Sequence, residues 1–212
     1  MIKNDSITSF LSQNQINWHF NPPSAPHFGG IWEAAVKSIK FHLKRTLGNA
    51  LLTYEEMNTL LVQIEAILNS RPLCATSDND LEPLTPNHFL IGHPYNIIPE
   101  PSLEHLKLNH LSRWQYVQRL RHDFWKKWHH SYLTTLQKRT KWTTNKSSFK
   151  VNDIVLLHED NLPPSQWKLG RITQTHPGKD NIVRIVTITT QNGTYKRPVI
   201  KLSVLPIEQH NN

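Results

Sequence analysis

WHFNPPSAPHFGGIWEAAVKSIKFHLK, residues 18–44, is the stretch that decides how the chain is expected to fold. Residues 16–20 predict a short strand that stops at Pro22, because proline cannot donate a ladder hydrogen bond. A loop rich in proline and glycine follows, and residues 31–47 repeat apolar side chains at helical spacing. The stretch therefore predicts a strand, a loop and an amphipathic helix in that order.

Glu33, Lys37 and Lys40 of this predicted helix share one face, because they are spaced at i, i+4 and i+7. A carboxylate is a hard oxygen ligand for Mg²⁺, and lysines beside it can bind phosphate. The same residues also fit an ordinary solvated helix face, on which a Glu–Lys pair contributes a few tenths of a kcal/mol. Alone, the pattern is compatible with phosphoryl-transfer chemistry on nucleic acid and does not require it.

The composition is that of a basic protein with modest apolar cores. The 212 residues carry a formal net charge of +8 at pH 7 with a pI near 9.6, and 37% of them are hydrophobic. This length allows one large domain or two small ones. Because each neutralised phosphate releases counterions, this charge predicts a polyanionic partner.

Cysteine usage and hydropathy exclude several classes of site. Cys74 is the single cysteine, so neither an internal disulfide nor a cysteine-based zinc site can form. The 13 histidines lack partners at ligand spacing, and we expect no zinc. No run approaches the ~20 apolar residues of a membrane span, and MIKNDSITSF lacks the apolar region of a signal peptide. We expect an intracellular, nuclear protein with no membrane partner.

Part of the opening stretch resembles the end of the catalytic core of retroviral-type integrases, namely Asn21-Pro22-Pro23-Ser24 followed by His27-Phe28-Gly29-Gly30-Ile31-Trp32-Glu33. The wording APHFGGIWEAAVKSIK is similar to the integrase of BEL/Pao-type LTR retrotransposons. Later segments resemble that family in the same order: AILNSRPL (66–73), LTPNHFLIG (84–92), FWKKWHHSYLTTLQKRTKW (124–142) and WKLGRI (167–172). The resemblance runs from about Trp18 to Pro206.

The resemblance implies a role for Glu33 and also identifies residues that the chain lacks. Glu33 matches the third acid of the family's Asp, Asp, Glu triad, which binds Mg²⁺ or Mn²⁺ in the full-length enzyme. The two aspartates belong upstream, where Asp5 stands in the wrong context and fits a helix N-cap better. Because two-metal catalysis needs several converging carboxylates, we expect the C-terminal part of an integrase, inactive alone and without a tightly bound metal.

DNA-binding residues are expected in three groups. Lys37 and Lys40 match family positions that contact the DNA end, whereas Asn21 and Ser24 match loop positions that turn chemistry explains equally well. Residues 113–141 contain a single acid, and we expect their Trp and Phe to be core. Their predicted phosphate contacts are Arg113, Arg119, Arg121, Lys126, Lys127, Lys138, Arg139 and Lys141. The third group comprises Lys168, Arg171, Arg184, Lys196 and Arg197.

The predicted fold class is α+β. Its parts are a truncated RNase H-like core end (1–72, a strand and two helices), a Pro-rich connector (73–102), a long basic helical linker (103–144), a small SH3-like antiparallel β-barrel (145–206) and a tail (207–212). Alternating apolar residues predict the barrel interior. Its expected members are Val151, Ile154, Leu156, Ile172, Val183, Ile185, Ile188 and Val199.

The leading hypothesis is an integrase fragment that binds DNA and contributes to DNA integration by metal-dependent phosphoryl transfer in the full-length protein, which the resemblance implies is a homo-oligomer. One alternative is a non-catalytic nucleic-acid-binding relic that retains the linker and the barrel. Another is a chromatin-interaction barrel, which would need an aromatic cage.

Overall fold

The computed structural model describes residues 5–15, 22, 26–75, 81–94, 103, 106–107, 111–137 and 149–205. The protein combines helices with antiparallel strands and is α+β. It divides into two compact units, Met1–Leu43 and Lys44–Asn212. The strand predicted at 16–20 lies outside the described residues, as does the part of the predicted connector that follows Pro94.

The first unit contains helix α1 (Asp5–Gln13), a 3-10 turn (Pro26–Gly29) and most of helix α2 (Gly30–Leu47). The predicted helix at 31–47 is confirmed to within one residue. Gly48 ends α2 with a positive φ of 52°, and its N–H donates to the Lys44 carbonyl at 3.1 Å. Glycine adopts this left-handed conformation without a Cβ penalty, which is why it terminates helices.

Three further helices lie in the second unit, with a two-stranded pairing between α3 and α4. Their bounds are α3 (Tyr54–Asn69), β1 (Cys74–Ala75), β2 (Pro83–Leu84), α4 (Pro86–Ile91) and α5 (Arg113–Leu136). A capping box begins α3. Thr53 Oγ1 accepts from the Glu56 N–H at 3.3 Å, and Glu56 accepts from the Thr53 N–H at 2.8 Å.

Helix α5 begins later than the helical linker predicted over residues 103–144. The described residues between 103 and 112 are not helical, and α5 begins at Arg113 as a single helix. Ser112 and Gln115 form a capping box, in which the Gln115 amide oxygen accepts from the Ser112 N–H at 2.9 Å. The Ser-x-x-Gln signal therefore places the helix start, whereas apolar periodicity alone extends it too far.

Five antiparallel strands form the sheet of the second unit: β3 (Ile154–Leu157), β4 (Leu169–Pro177), β5 (Val183–Thr190), β6 (Gly193–Pro198) and β7 (Leu202–Val204). Their spatial order is β6-β5-β4-β3-β7, so the last strand returns to pair with the first. A 3-10 turn, Val199–Lys201, makes the connection into β7.

Strand β4 is the long strand that bends between two partners. It pairs with β3 at its start and with β5 along its length, and the register with β5 shifts between Ile172 and Gln174. A bulge at this point increases local twist and bends the strand. At Gly170 a Cβ would lie 3.1 Å from the Thr190 side chain and 3.3 Å from Leu157, so glycine permits the close approach.

The sheet buries both of its faces along β3, which corrects the predicted barrel interior. Val155 and Leu157 join Ile172, Val186, Ile188 and Leu202 in one cluster, the inner core. Ile154 and Leu156 face the other way and pack with Leu133, Leu169 and Leu205, the helix-side core. The alternating pattern correctly separated the residues of β3 into two faces, but it assigned Ile154 and Leu156 to the barrel interior. They lie on the outer face, which is also apolar because Leu133 of α5 packs against it.

The prediction is also wrong for two other residues that were assigned to the barrel interior. Val151 is 50% exposed, and Ile185 is 46% exposed. Val151 precedes β3 in a turn, and Ile185 falls in the half of β5 that lies beyond the bulge. Ile172 and Ile188 are fully buried as predicted, while Val183 and Val199 pack half-buried against the inner core.

Helix α5 is joined to the sheet by hydrogen bonds as well as apolar contacts. The Ser203 hydroxyl donates to the Leu133 carbonyl at 2.9 Å, and the Gln137 amide donates to the Ile200 carbonyl at 2.9 Å. Both hydrogen bonds lie between the C-terminal end of α5 and the chain around β7. None of the helices that the structure describes is long and apolar enough to cross a membrane.

Leu133→Ala should lower the free energy of unfolding by about 2 to 5 kcal/mol, because Leu133 is 2% exposed and the substitution leaves a cavity in the helix-side core. Chemical denaturation of the full chain measures the change. Thr134→Ala, at the exposed neighbouring position, is the matched control and should change stability by less than about 0.5 kcal/mol. Equal effects of the two substitutions would contradict the assignment of Leu133 to that core.

Candidate nucleic-acid interface

Helix α2 presents the acid and the two lysines singled out in the sequence on its exposed surface. Glu33 lies in the first turn, and Glu33, Lys37 and Lys40 are all exposed. An acidic side chain in the first turn of a helix is stabilised by the helix dipole without any ligand. Their arrangement permits phosphate contacts by the lysines, and it leaves Glu33 open to solvent.

The described residues do not assemble a magnesium site around Glu33. Across the described ranges, no group of three or more His, Cys, Asp or Glu side chains could hold a metal ion. A single exposed carboxylate supplies one ligand, whereas Mg²⁺ held for two-metal chemistry needs several.

Two of the predicted DNA-binding cations on α5 have acidic partners in the second unit. The Arg113 guanidinium binds the Glu56 carboxylate, with Nε 2.7 Å from Oε1 and a further short contact from Nη2, and this pairing lowers the pKa of Glu56. Arg119 pairs with Asp123 at 3.2 Å and also donates to the Leu103 carbonyl. Both arginines are therefore already engaged in contacts within the protein.

The remaining cations on α5 are also engaged. Lys127 is exposed, and its ammonium donates to the Arg45 carbonyl at 2.8 Å, in the last turn of α2, where a cation is favoured by the helix dipole. Arg121 and Lys126 are half-buried and have further partners. Asn21, Ser24, Lys138, Arg139 and Lys141 lie outside the described residues.

The cations of the sheet region that were predicted to bind DNA also differ in whether other side chains already occupy them. Lys168 pairs with Glu159 at 2.8 Å, and Arg184 pairs with Asp180 at 2.7 Å, which lowers the pKa of Asp180 to about 2. Arg171 is half-buried on β4. Arg197 and Lys168 both lie over the Tyr195 ring, at 5.1 and 5.9 Å from its centroid. Lys196 is exposed on β6.

Other exposed lysines of the sheet region were missed because the sequence prediction followed local clustering of charge. Lys150 and Lys179 are exposed beside the strands, like Lys196, and none of the three forms an ion pair with the described residues. We call Lys150, Lys179 and Lys196 the open lysines. Lys196 was predicted from the sequence, whereas Lys150, before β3, and Lys179, between β4 and β5, were not.

Phe124, Trp125 and Trp128 of α5 are buried, as the sequence indicated, whereas Trp114 in the first turn of the helix is 58% exposed and contradicts that expectation. Trp125, Trp128, His129 and Tyr132 surround Trp167 from the β3–β4 loop, with ring centroids 4.9 to 6.1 Å from that of Trp167. These five residues form the aromatic cluster. Two of its three indole N–H groups have identified partners: Trp167 Nε1 donates to Ser70 Oγ at 3.2 Å, and Trp125 Nε1 donates to the Leu162 carbonyl at 2.9 Å.

A second polar connection links β3, β7 and α5. Because the Ser203 hydroxyl donates to the Leu133 carbonyl, it accepts from His158 Nε2 across the 2.8 Å between them. This assigns the neutral His158 tautomer with the proton on Nε2. Ser203 is 1% exposed and donates its proton to a backbone carbonyl, so it is not an activated nucleophile.

Burial holds two histidines neutral. Desolvation lowers the pKa of His129 to about 4, with smaller contributions from His158 and His130. The pKa of His158 is also lowered to about 4, first by desolvation and then by His130 and Lys201. Asp160 opposes both shifts and does not overcome them.

Comparison with known proteins gives a match to a family model. A model described as a family of unknown function (DUF5641) matches residues 112–205. No curated protein matches the chain. No solved structure matches it either. The matched segment begins at the N-cap of α5 and ends just after β7, so it takes in both the helix and the sheet.

Stability should fall as the pH drops from about 6.5 to about 4. In that window the unfolded chain protonates His129 and His158, whose folded pKa values are near 4, so protons favour unfolding. Each histidine contributes a slope of at most about 1.4 kcal/mol per pH unit. Denaturant unfolding at several pH values measures the slope, and His158→Gln should reduce it. The exposed His93→Gln is the control, and equal slopes in both variants would contradict the role of burial.

Proposed function

We propose that the chain is the C-terminal part of a retroelement-type integrase and that it binds duplex DNA through its exposed lysines. The sequence resemblance supports the family, and the basic charge supports the partner. The resemblance also favours a nuclear location and a homo-oligomeric full-length enzyme that joins DNA ends. Catalysis belongs to that full-length enzyme in this proposal, while the present chain supplies binding.

The open lysines are the observation that carries the DNA-binding proposal. Lys150, Lys179 and Lys196 are exposed around one sheet, and two acids of the sheet region are paired with other cations, Glu159 with Lys168 and Asp180 with Arg184. A lysine without an acidic partner retains its full attraction for phosphate, whereas a paired arginine must first break its ion pair. The proposal thus shifts the main contacts from α5 to the sheet.

The strand arrangement supports the proposed SH3-like barrel. Four strands follow one another as antiparallel neighbours, and the fifth returns after a 3-10 turn to pair with the first. A bulge, a feature that bends strands, interrupts the register of β4 with β5, and residues of β3, β4, β5 and β7 share the inner core. These are the features expected of a small, partly open barrel of five strands.

The chromatin-interaction alternative receives no support from the described aromatic residues. A cage that binds a methylated lysine needs aromatic faces around an open centre. In the aromatic cluster, Trp167 itself occupies the centre, and Tyr195 carries Lys168 and Arg197 beside its ring. Among these residues the ring faces are filled by the protein's own side chains.

Duplex DNA should bind with little sequence preference and with an affinity that falls as salt rises. Changing the open lysines together to glutamine should weaken binding and reduce the slope of log K against log salt by about 0.9 for each phosphate that the protein no longer neutralises. Fluorescence anisotropy with a labelled duplex at several salt concentrations measures both quantities.

Changing the same three lysines to arginine is the matched control, because it keeps the charge at each position. We expect the arginine variant to retain the affinity and the salt slope. If the glutamine variant bound DNA like the unchanged protein, the sheet lysines would not be the binding surface, and the α5 cations or residues outside the described ranges would have to supply it.

The isolated chain should show no 3′-end processing and no strand transfer. A lone exposed carboxylate binds Mg²⁺ too weakly to position two ions, so adding Mg²⁺ or Mn²⁺ should not produce joined products. Labelled DNA ends resolved on a denaturing gel provide the measurement. Product that formed with the chain and disappeared in Glu33→Gln would show that the chain assembles an active site after all.

A further inference from the structure

A groove of about 430 Å³ lies where the β3–β4 loop meets the end of β6 and the following 3-10 turn. One wall is the run of consecutive residues from Leu157 to Leu162, and the other is formed by Arg197 and Lys201. Its volume falls within the ~300–1,000 Å³ typical of small-ligand clefts. None of the open lysines contributes to it.

The two walls of the groove have opposite charge. Glu159 and Asp160 lie on the loop wall, and Arg197 and Lys201 lie on the other wall. Glu159 is neutralised by Lys168 at 2.8 Å, and Arg197 is drawn over the Tyr195 ring. Asp160 and Lys201 are exposed and are not joined to each other, or to other described residues, by an ion pair.

His158 supplies an uncharged hydrogen-bonding group to the same groove. Its Nε2 proton is committed to Ser203, so Nδ1 keeps a lone pair that can accept from an N–H group. Because burial holds the ring neutral above about pH 4, His158 adds no charge to either wall at neutral pH. The groove therefore combines an anion, a cation and a neutral acceptor.

We propose that this groove binds a short extended peptide segment of a partner protein that carries one basic and one acidic side chain. The basic side chain pairs with Asp160, the acidic side chain pairs with Lys201, and a backbone N–H of the peptide donates to His158 Nδ1. Opposite charges across an interface fix the register and the direction of the bound segment.

A nucleic acid is a poorer fit to the groove than a peptide. Phosphates that approach Lys201 and Arg197 also approach the Asp160 and Glu159 carboxylates, and like charges brought together cost affinity. A peptide carries both signs and amide donors on one strand. The groove and the open lysines are therefore separate surfaces, and the peptide proposal does not rest on DNA binding.

An array of seven-residue peptides tests the proposal with the full-length chain as the probe. The array places one lysine and one glutamate at each possible pair of positions in the peptide. In the reference peptides, glutamine replaces the lysine, the glutamate or both. Mixed-charge peptides with one preferred order and spacing should bind best. In solution, Asp160→Asn and Lys201→Gln should each weaken the best peptide roughly three- to fivefold, as for a partly exposed ion pair.

Lys44→Gln and Glu65→Gln are the matched controls, since both residues are exposed on helices and outside the groove. The double variant Asp160→Lys with Lys201→Asp should prefer the peptide in which lysine and glutamate are exchanged. Circular dichroism verifies that each variant is folded. The proposal is overturned if mixed-charge peptides bind no better than their references, if the exchanged variant keeps the original preference, or if Lys201→Gln weakens the binding of duplex DNA but of no peptide.

Discussion

All four side chains of Ile154–Leu157 are buried, two in the inner core and two against α5. A strand with two apolar faces cannot be left open to water on either side, because each exposed face would cost its share of the hydrophobic free energy. The sheet and α5 therefore stabilise each other. The β3–β4 loop and the groove that it lines both begin at the end of this strand.

Trp167 connects the sheet region and α5 to the end of α3 within the second unit. Its ring packs among the aromatic residues of α5, and its N–H donates to Ser70 just after α3. Tyr132 of α5 donates to the Pro72 carbonyl at 2.6 Å, close to the same point. Residues nearly 100 positions apart in sequence are thus tied together by aromatic stacking and directed hydrogen bonds, which require specific geometry and not merely hydrophobicity.

Local signals in the sequence predicted the helices well, and long-range pairing limited the rest. The capping pair Thr53 and Glu56 and the helical spacing of 31–47 locate α3 and α2, because both depend on near neighbours. The face of β3 that points inward depends on Leu133, which no strand pattern contains. The availability of Arg113 depends on Glu56, 57 residues earlier, so a count of basic residues could not separate paired cations from open ones.

The Gln137 side chain also affects how the sheet meets other chains. Its amide donates to carbonyls at Ile200 and Leu202, so a side chain at the end of α5 occupies acceptors beside the edge strand β7. At the opposite edge, β6 carries Lys196 and Pro198, residue types that disfavour the addition of another strand. Both edges are thereby protected against edge-to-edge aggregation, a hazard that every open β-sheet faces at high local concentration.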